Sequence, residues 1–194
     1  MEILDEQYWE NRYQQDDFPW DLGVVSPPLK MYFNGLKDKL IRILIPGAGS
    51  AYEAEYLYQL GFENVFVVDY APSAIENLRK RMPDFPANHL IVGDFFQHQG
   101  KYDLIVEQTF FCAINPQLRR NYVAQMVQLL RPSGKLVGLL FDDVLNSDKP
   151  PFGGNKQEYI SYFAEQFEFI HFELCYNSIA PRAGRELFIE FIKK

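Results

Sequence analysis

The sequence predicts an α/β fold: a doubly wound, mostly parallel seven-stranded sheet with an antiparallel C-terminal edge. Three observations carry this. Five short, mainly apolar runs, at 41–45, 65–68, 89–92, 102–107 and 135–141, read as strands buried on both faces. Stretches of helical spacing separate them, which calls for parallel strands with right-handed crossovers. Two further runs, 169–176 and 186–192, are divided only by a loop containing Pro181-Arg182-Ala183-Gly184 and read as a closing hairpin.

Each element has a local reason. Residues 5–15 interleave Tyr8, Trp9, Arg12 and Tyr13 with polar side chains, as a short amphipathic helix does. Phe18-Pro19-Trp20-Asp21-Leu22-Gly23 and Ser26-Pro27-Pro28 form an ordered loop punctuated by proline, and 29–39 reads as helical. The first strand runs into Pro46-Gly47. Ala54, Leu57 and Tyr58 then keep helical spacing through 51–60, and Gly61 stands where a helix stops. The second strand ends at Asp69. A helix over 71–82 follows, with Arg79-Lys80-Arg81 at the negative pole of its dipole and Pro83 behind it. The third strand ends at Gly93-Asp94. A helix over 116–130 is stopped by Pro132-Ser133-Gly134, the fifth strand follows, 142–156 is a loop, and 156–167 is helical.

With 194 residues the chain suits one domain, and 47% hydrophobic against 23% charged residues excludes wholesale disorder. The net charge is −7 and no basic run exceeds Arg79-Lys80-Arg81, which argues against nucleic acid or an anionic membrane as the main partner. Aromatic residues at 16% favour planar or soft ligands as well as packing. Cys112 and Cys175 are too few for a disulfide framework and read as core residues of a reducing compartment. His89, His98 and His171 lack partners at ligand spacing, so no metal is expected. The start of the chain carries no apolar leader, and no apolar run approaches the roughly 18 residues of a membrane span. The expectation is a cytoplasmic monomer acting on a small molecule.

Ligands in such sheets bind at the carboxyl ends of the strands. Residues 47–52, Asp69-Tyr70, Asp94-Phe95 and 108–111 fall there. Gly47-Ala48-Gly49 lets the backbone turn sharply and approach a ligand. Asp69, twenty-two residues beyond Gly47 (69 − 47), is placed to accept both ribose hydroxyls of an adenosine. Two cofactors fit that pattern, a nicotinamide dinucleotide and S-adenosylmethionine. A dinucleotide wants a third glycine where Tyr52 stands, and its diphosphate would meet Glu53 and Glu55 at the helix start. S-adenosylmethionine has no phosphate and carries a sulfonium cation that tolerates acidity. Asp94 with Phe95 suits an adenine amino group and ring. The apolar segment 108–114 either caps the core or walls a small dry pocket for methyl transfer to a soft nucleophile. A dinucleotide-dependent oxidoreductase and a fold of this kind that has lost catalysis remain the alternatives.

On several segments the sequence resembles the thiopurine, thiol and halide methyltransferases, a branch of the class I S-adenosylmethionine-dependent enzymes with a Rossmann-like fold. These are Tyr8-Trp9-Glu10, Pro19-Trp20-Asp21-Leu22-Gly23, Ile45-Pro46-Gly47-Ala48-Gly49, Asp69, Asp94-Phe95-Phe96, Phe110-Phe111-Cys112-Ala113-Ile114, Pro150-Pro151-Phe152 and Pro181-Arg182-Ala183-Gly184-Arg185-Glu186. The pattern is most similar to the plant-type halide/thiol enzymes. The resemblance implies that Trp9, Tyr13 and Trp20 contact the cofactor and that residues 1–25 form a lid. It implies that Gly47 and Gly49 make the cofactor turn, that Asp69 beside Tyr70 takes the ribose, and that Asp94 and Phe95 take the adenine. Gln108 stands where the family often has a tyrosine near cofactor or substrate, and Glu107 where it often has aspartate. Phe110, Phe111 and Phe152 are expected to line an acceptor pocket, with Arg182 and Arg185 attracting an anionic acceptor at its mouth. No catalytic acid or base is expected, since a thiol is partly thiolate at neutral pH. The implied activity is methyl transfer to a small thiol or related sulfur compound.

Overall fold

The computed structural model describes residues 3–194. In chain order the elements are α1 (Glu6–Gln14), α2 (Pro27–Gly35), β1 (Ile43–Pro46), α3 (Tyr52–Gln59), β2 (Val65–Asp69), α4 (Pro72–Arg81), β3 (Leu90–Val92), β4 (Tyr102–Gln108), α5 (Arg119–Leu129), β5 (Leu130–Phe141), α6 (Lys156–Phe163), β6 (Phe167–Leu174) and β7 (Glu186–Lys193). The sheet has seven strands in the order β3-β2-β1-β4-β5-β7-β6. The first five run parallel, and β7 is antiparallel to both β5 and β6. The order reverses between β1 and β4, which opens a crevice at their carboxyl ends.

Strand alternation divides the core into two layers. Ile43 and Ile45 of β1 pack with Leu57, Ile75 and Leu78 on one face of the sheet. Leu44 packs with Tyr122, Met126 and Phe163 on the other. A third, smaller cluster joins Tyr13 to Ala71 and Ala74 of the α4 region, with Trp9, Phe18 and Trp20 around it. The N-terminal segment is tied down there by polar bonds as well. Glu10 accepts from the Ser73 amide at 2.9 Å and the Ser73 hydroxyl at 2.5 Å.

Local chemistry sets the helix ends. Asp5 caps α1 by accepting from the Tyr8 amide at 2.9 Å. Pro27 and Pro28 occupy the first turn of α2, so that helix starts two residues before the apolar spacing does and stops at Gly35. Gly61 follows α3 at φ +85°, as expected of a helix stop. Two boundaries differ from the sequence reading. Pro132-Ser133-Gly134 does not separate helix from strand: α5 ends at Leu129 and β5 begins at Leu130. The pairing of β4 with β5 slips between Tyr102 and Leu104, and this irregularity absorbs the Pro-Ser-Gly segment within the strand. Helix α6 ends at Phe163, because Phe167 is already the buried first residue of β6.

The loop 142–156 is fixed from below by Arg119, a buried guanidinium that donates to Glu158 at 2.8 Å and to the Gly153 carbonyl at 2.7 Å. Cys112 and Cys175 are both buried and unpaired by disulfide. Among the described residues, no helix is long and apolar enough to cross a membrane.

Candidate active site

A cleft of about 1350 Å³ opens at the carboxyl ends of β1, β2 and β4, with the N-terminal segment over it. That exceeds the roughly 300–1,000 Å³ of an ordinary small-molecule site. The turn after β1 forms its floor. Gly47 and Gly49 adopt φ of +56° and +54°, and Ala51 follows at +56°. Glycine suits both of the first two by conformation, and Gly47 by space as well. A Cβ on Gly47 would stand 2.2 Å from the Phe110 ring, and one on Gly49 would stand 3.0 Å from the Tyr13 hydroxyl.

Asp69 ends β2 at the edge of this turn. Its Oδ2 accepts from the Gly49 amide at 2.8 Å and its Oδ1 from the Ala71 amide at 2.9 Å. Burial raises its carboxyl above the usual carboxylate range, against the pull of those amides. The same carboxylate therefore braces the glycine turn and lines the cleft. Tyr70 follows, its phenol held at about 12 by burial and by the neighbouring Asp94. Asp94 Oδ1 accepts from the Phe96 amide at 2.8 Å. Phe95 is 3% exposed and sits edge-on to Phe110 at 5.2 Å, so only its margin reaches the cleft.

Trp9, Tyr13 and Trp20 converge above the glycine turn. Trp9 and Trp20 meet edge-to-face at 5.6 Å, and Tyr13 stacks on Phe18 at 5.4 Å. The Arg12 guanidinium lies 4.9 Å from the Trp20 ring. Two bonds anchor this aromatic group to the body. Asp21 accepts from the Ser50 hydroxyl. The Trp20 carbonyl accepts from Arg182 Nη2 at 3.0 Å.

At the end of β4 the two neighbouring residues differ in role. Gln108 lines the cleft, and its Oε1 is buried without a hydrogen-bond partner. Glu107 turns into the core, where Tyr122 donates to its Oε2 at 2.6 Å. The apolar end of the cleft is walled by Phe110, Cys112, Ala113, Ile114, Pro150 and Pro151. The Phe152 amide donates to the Cys112 carbonyl at 2.7 Å and ties the two wall segments together. The Cys112 thiol donates to the Thr109 carbonyl at 3.1 Å and is pushed up to about 12 by burial, so it stays protonated.

The structure corrects three expectations about this end. Phe111 is 1% exposed and packs on Tyr122, Tyr159 and Phe163; it is absent from the cleft wall. Phe152, also 1% exposed, is a core residue as well. A turn sends successive side chains in different directions, so Phe110 faces the cleft and Phe111 the core. Arg185 lines the mouth, but its guanidinium is engaged by Asp143. Arg182 is buried, bonds Glu186 at 3.3 Å and also lines the cleft. The sequence assigns no role to Arg119 and marks Glu107 only as a departure from the family aspartate. The signal for Glu107 was present: a charge within the run Leu104-Ile105-Val106-Glu107.

Comparison with known proteins agrees with this architecture. The family model of thiopurine S-methyltransferase matches residues 4–187. A probable thiol methyltransferase 2 of Arabidopsis thaliana is 29% identical over 187 residues, covering 92% of this chain and 81% of its own length. A thiocyanate methyltransferase 1 of Brassica oleracea is 28% identical over 193 residues, covering 95% and 84%. Among solved structures, a glycopeptide N-methyltransferase complexed with S-adenosyl-L-homocysteine superposes with a TM-score of 0.68 at 15% identity, covering 86% of this chain and 89% of its own. With nearly the whole chain matched, this protein belongs to the thiopurine S-methyltransferase family of S-adenosylmethionine-dependent enzymes.

Proposed function

We propose that the chain binds S-adenosylmethionine on the glycine turn, beneath residues 1–25 acting as a lid, of which residues 1 and 2 lie outside the described residues, and methylates a small anionic sulfur nucleophile of the thiolate class. The residues present suit that cofactor. Asp69 and Asp94 offer carboxylates to hydroxyl and amino hydrogens, and the orphaned Gln108 Oε1 offers an acceptor to an ammonium. Trp9, Tyr13 and Trp20 line the cleft with aromatic rings, which favour a cation. Bound in this way, the cofactor would supply an already activated methyl group.

The observation that carries the acceptor class is Arg182. It is a buried guanidinium lining the same cleft as the apolar wall of Phe110, Cys112, Ala113, Ile114, Pro150 and Pro151. Two of its N–H groups serve Glu186 and the Trp20 carbonyl. A guanidinium has five, so others remain for an anion. Apolar walls favour a weakly hydrated anion over a carboxylate or alkoxide, because less water must be stripped from it. The protein's contribution is to align the two reactants and keep the chamber dry. Cys112, held protonated, is not a competing nucleophile.

The test is calorimetric titration with S-adenosylmethionine, followed by mass spectrometry of products from thiols, thiocyanate, halides, thiopurines, carboxylates and amines. Methylated sulfur products at a rate rising with the thiolate fraction support the reading. An enzyme that binds the cofactor yet methylates only carboxylates or amines refutes it. For the lid, a chain lacking residues 1–25 should keep its sheet by circular dichroism and lose cofactor binding. Normal binding by the truncated chain would reduce the aromatic group to packing.

A further inference from the structure

Glu107 is fully buried at the end of β4, and its bonds tie the turn that follows to helix α5. Its Oε1 accepts from the amides of Phe110 at 2.8 Å and Phe111 at 2.9 Å. Its Oε2 accepts from Tyr122. Between the strand and those two amides lies Thr109 at φ +60°. A β-branched residue avoids this left-handed region, and such a conformation persists only where its surroundings over-determine it. Immediately after it, the Phe110 ring covers Gly47 so closely that no Cβ fits between them.

We propose that Glu107 is a positioning residue for the cofactor turn: its carboxylate holds Thr109 in the strained conformation and thereby keeps the Phe110 ring seated on Gly47. This rests on the reading that the cofactor lies on that turn. The chain of contact is short. Glu107 fixes two amides, the amides fix the direction of Phe110, and Phe110 backs the glycine on which a ligand would rest.

The device is sensitive to protons. Burial raises the Glu107 carboxyl to about 7, while Tyr122 and the two amides pull it down. The titratable groups facing it are Tyr122 from α5 and Cys112 from the turn itself. The charges of Arg119 and Arg182 pull the neighbouring Cys112 thiol down. On protonation the hydroxyl of Tyr122 turns to accept, and the two amide bonds lose their charge assistance, roughly half their strength. The grip on Thr109 then slackens. Folding stability moves the other way. A carboxyl raised above its unfolded value stabilises the fold most when protonated, and that contribution is lost as pH rises through about 7. Tighter positioning with lower stability, over one pH interval, is a signature that a purely structural carboxylate does not produce.

The test measures binding of S-adenosylhomocysteine by calorimetry between pH 5.5 and 8.5 for the wild type, Glu107→Gln and the double variant Glu107→Gln with Thr109→Gly. In parallel, hydrogen exchange of the Phe110 and Phe111 amides is followed without ligand. The wild type should weaken about five-fold from pH 8 to pH 6, as the charge assistance is lost. Glu107→Gln should show the weaker value at every pH, with faster exchange of both amides at pH 8. Thr109→Gly should return the double variant to near the wild-type value at pH 8, because glycine adopts φ +60° without strain. Glu107→Gln with wild-type binding and unchanged amide exchange overturns the proposal, and so does a double variant no better than the single. A wild type that binds no S-adenosylhomocysteine refutes the cofactor site instead; the exchange measurements then decide the role of Glu107 alone.

Discussion

Alanine at Gly47, compared with alanine at Gly61, separates backbone strain from loss of the cofactor cradle. Both glycines have positive φ, +56° and +85°. Each substitution therefore carries the left-handed penalty of an L-residue, roughly 1–2 kcal/mol. At Gly61 nothing lies within 4 Å of the new Cβ. At Gly47 the Cβ would meet Phe110 Cδ2 at 2.2 Å, Cγ at 2.6 Å and Cβ at 3.0 Å. With the Phe110 Cβ itself so close, ring rotation gives no relief, and the whole residue must shift. Overpacking of this kind adds about 1–3 kcal/mol. For a domain of this size each kcal/mol lowers the melting temperature by roughly 2–4 °C. Gly61→Ala should thus lose about 2–8 °C and Gly47→Ala about 4–20 °C, with Gly47→Ala the lower in a paired measurement. The decisive assay is calorimetric titration of S-adenosylhomocysteine. Gly61→Ala should bind as the wild type does. Gly47→Ala should bind about ten-fold or more weakly, the equivalent of about 1.4 kcal/mol or more at the site. Equal affinity in the two variants would show that the turn after β1 is not where the cofactor rests.

The remaining predictions are shorter. Asp69→Ala removes the partner of two amides and the proposed ribose acceptor, so cofactor affinity should fall about ten-fold or more; unchanged affinity in calorimetry would move the ribose site elsewhere. Phe111→Ala should cost about 3–5 kcal/mol in denaturant unfolding and leave acceptor preference unchanged, since the ring is enclosed by core aromatics. A shift of preference at full stability would return Phe111 to the chamber wall. The Glu107 carboxyl, raised from 4.5 to about 7, stabilises the fold fully below pH 4.5 and loses that contribution as pH rises through 7. The difference amounts to roughly 3 kcal/mol. Urea unfolding at pH 5 and pH 8 should therefore show Glu107→Gln gaining on the wild type at pH 8, and a constant difference would remove the buried charge from the account.

Much of the strand and helix order was legible because its signals are local. Apolar runs, prolines in first helical turns and Gly61 after α3 each act within a few residues. The segment at Pro132-Ser133-Gly134 misled for the opposite reason. Its fate depends on pairing with β4, and sheet pairing overrides a local turn preference. The cleft followed the same division. Strand-end positions such as Gly47, Asp69, Asp94 and Gln108 all line it. Phe110 and Phe111 are indistinguishable as letters, and only the turn at Thr109 decides which of them faces the cleft. Arg119 was illegible because its partners, Gly153 in the loop 142–156 and Glu158 in α6, lie 34 and 39 residues away.

The bond between Arg182 and the Trp20 carbonyl spans 162 residues of chain. At the roughly 5–20 residues per second of protein synthesis, Trp20 waits on the order of 10–30 s for this partner to be made. From its own synthesis until β7 arrives, β5 has β4 on one side and nothing on the other, because β7 follows β6 in the chain yet lies between β5 and β6. An unpaired strand edge invites pairing with other chains. The arrival of β7 closes that edge and follows the delivery of Arg182 by only a few residues. The nascent chain thus gains its finished cleft and closes the open edge of β5 in the same late step of synthesis.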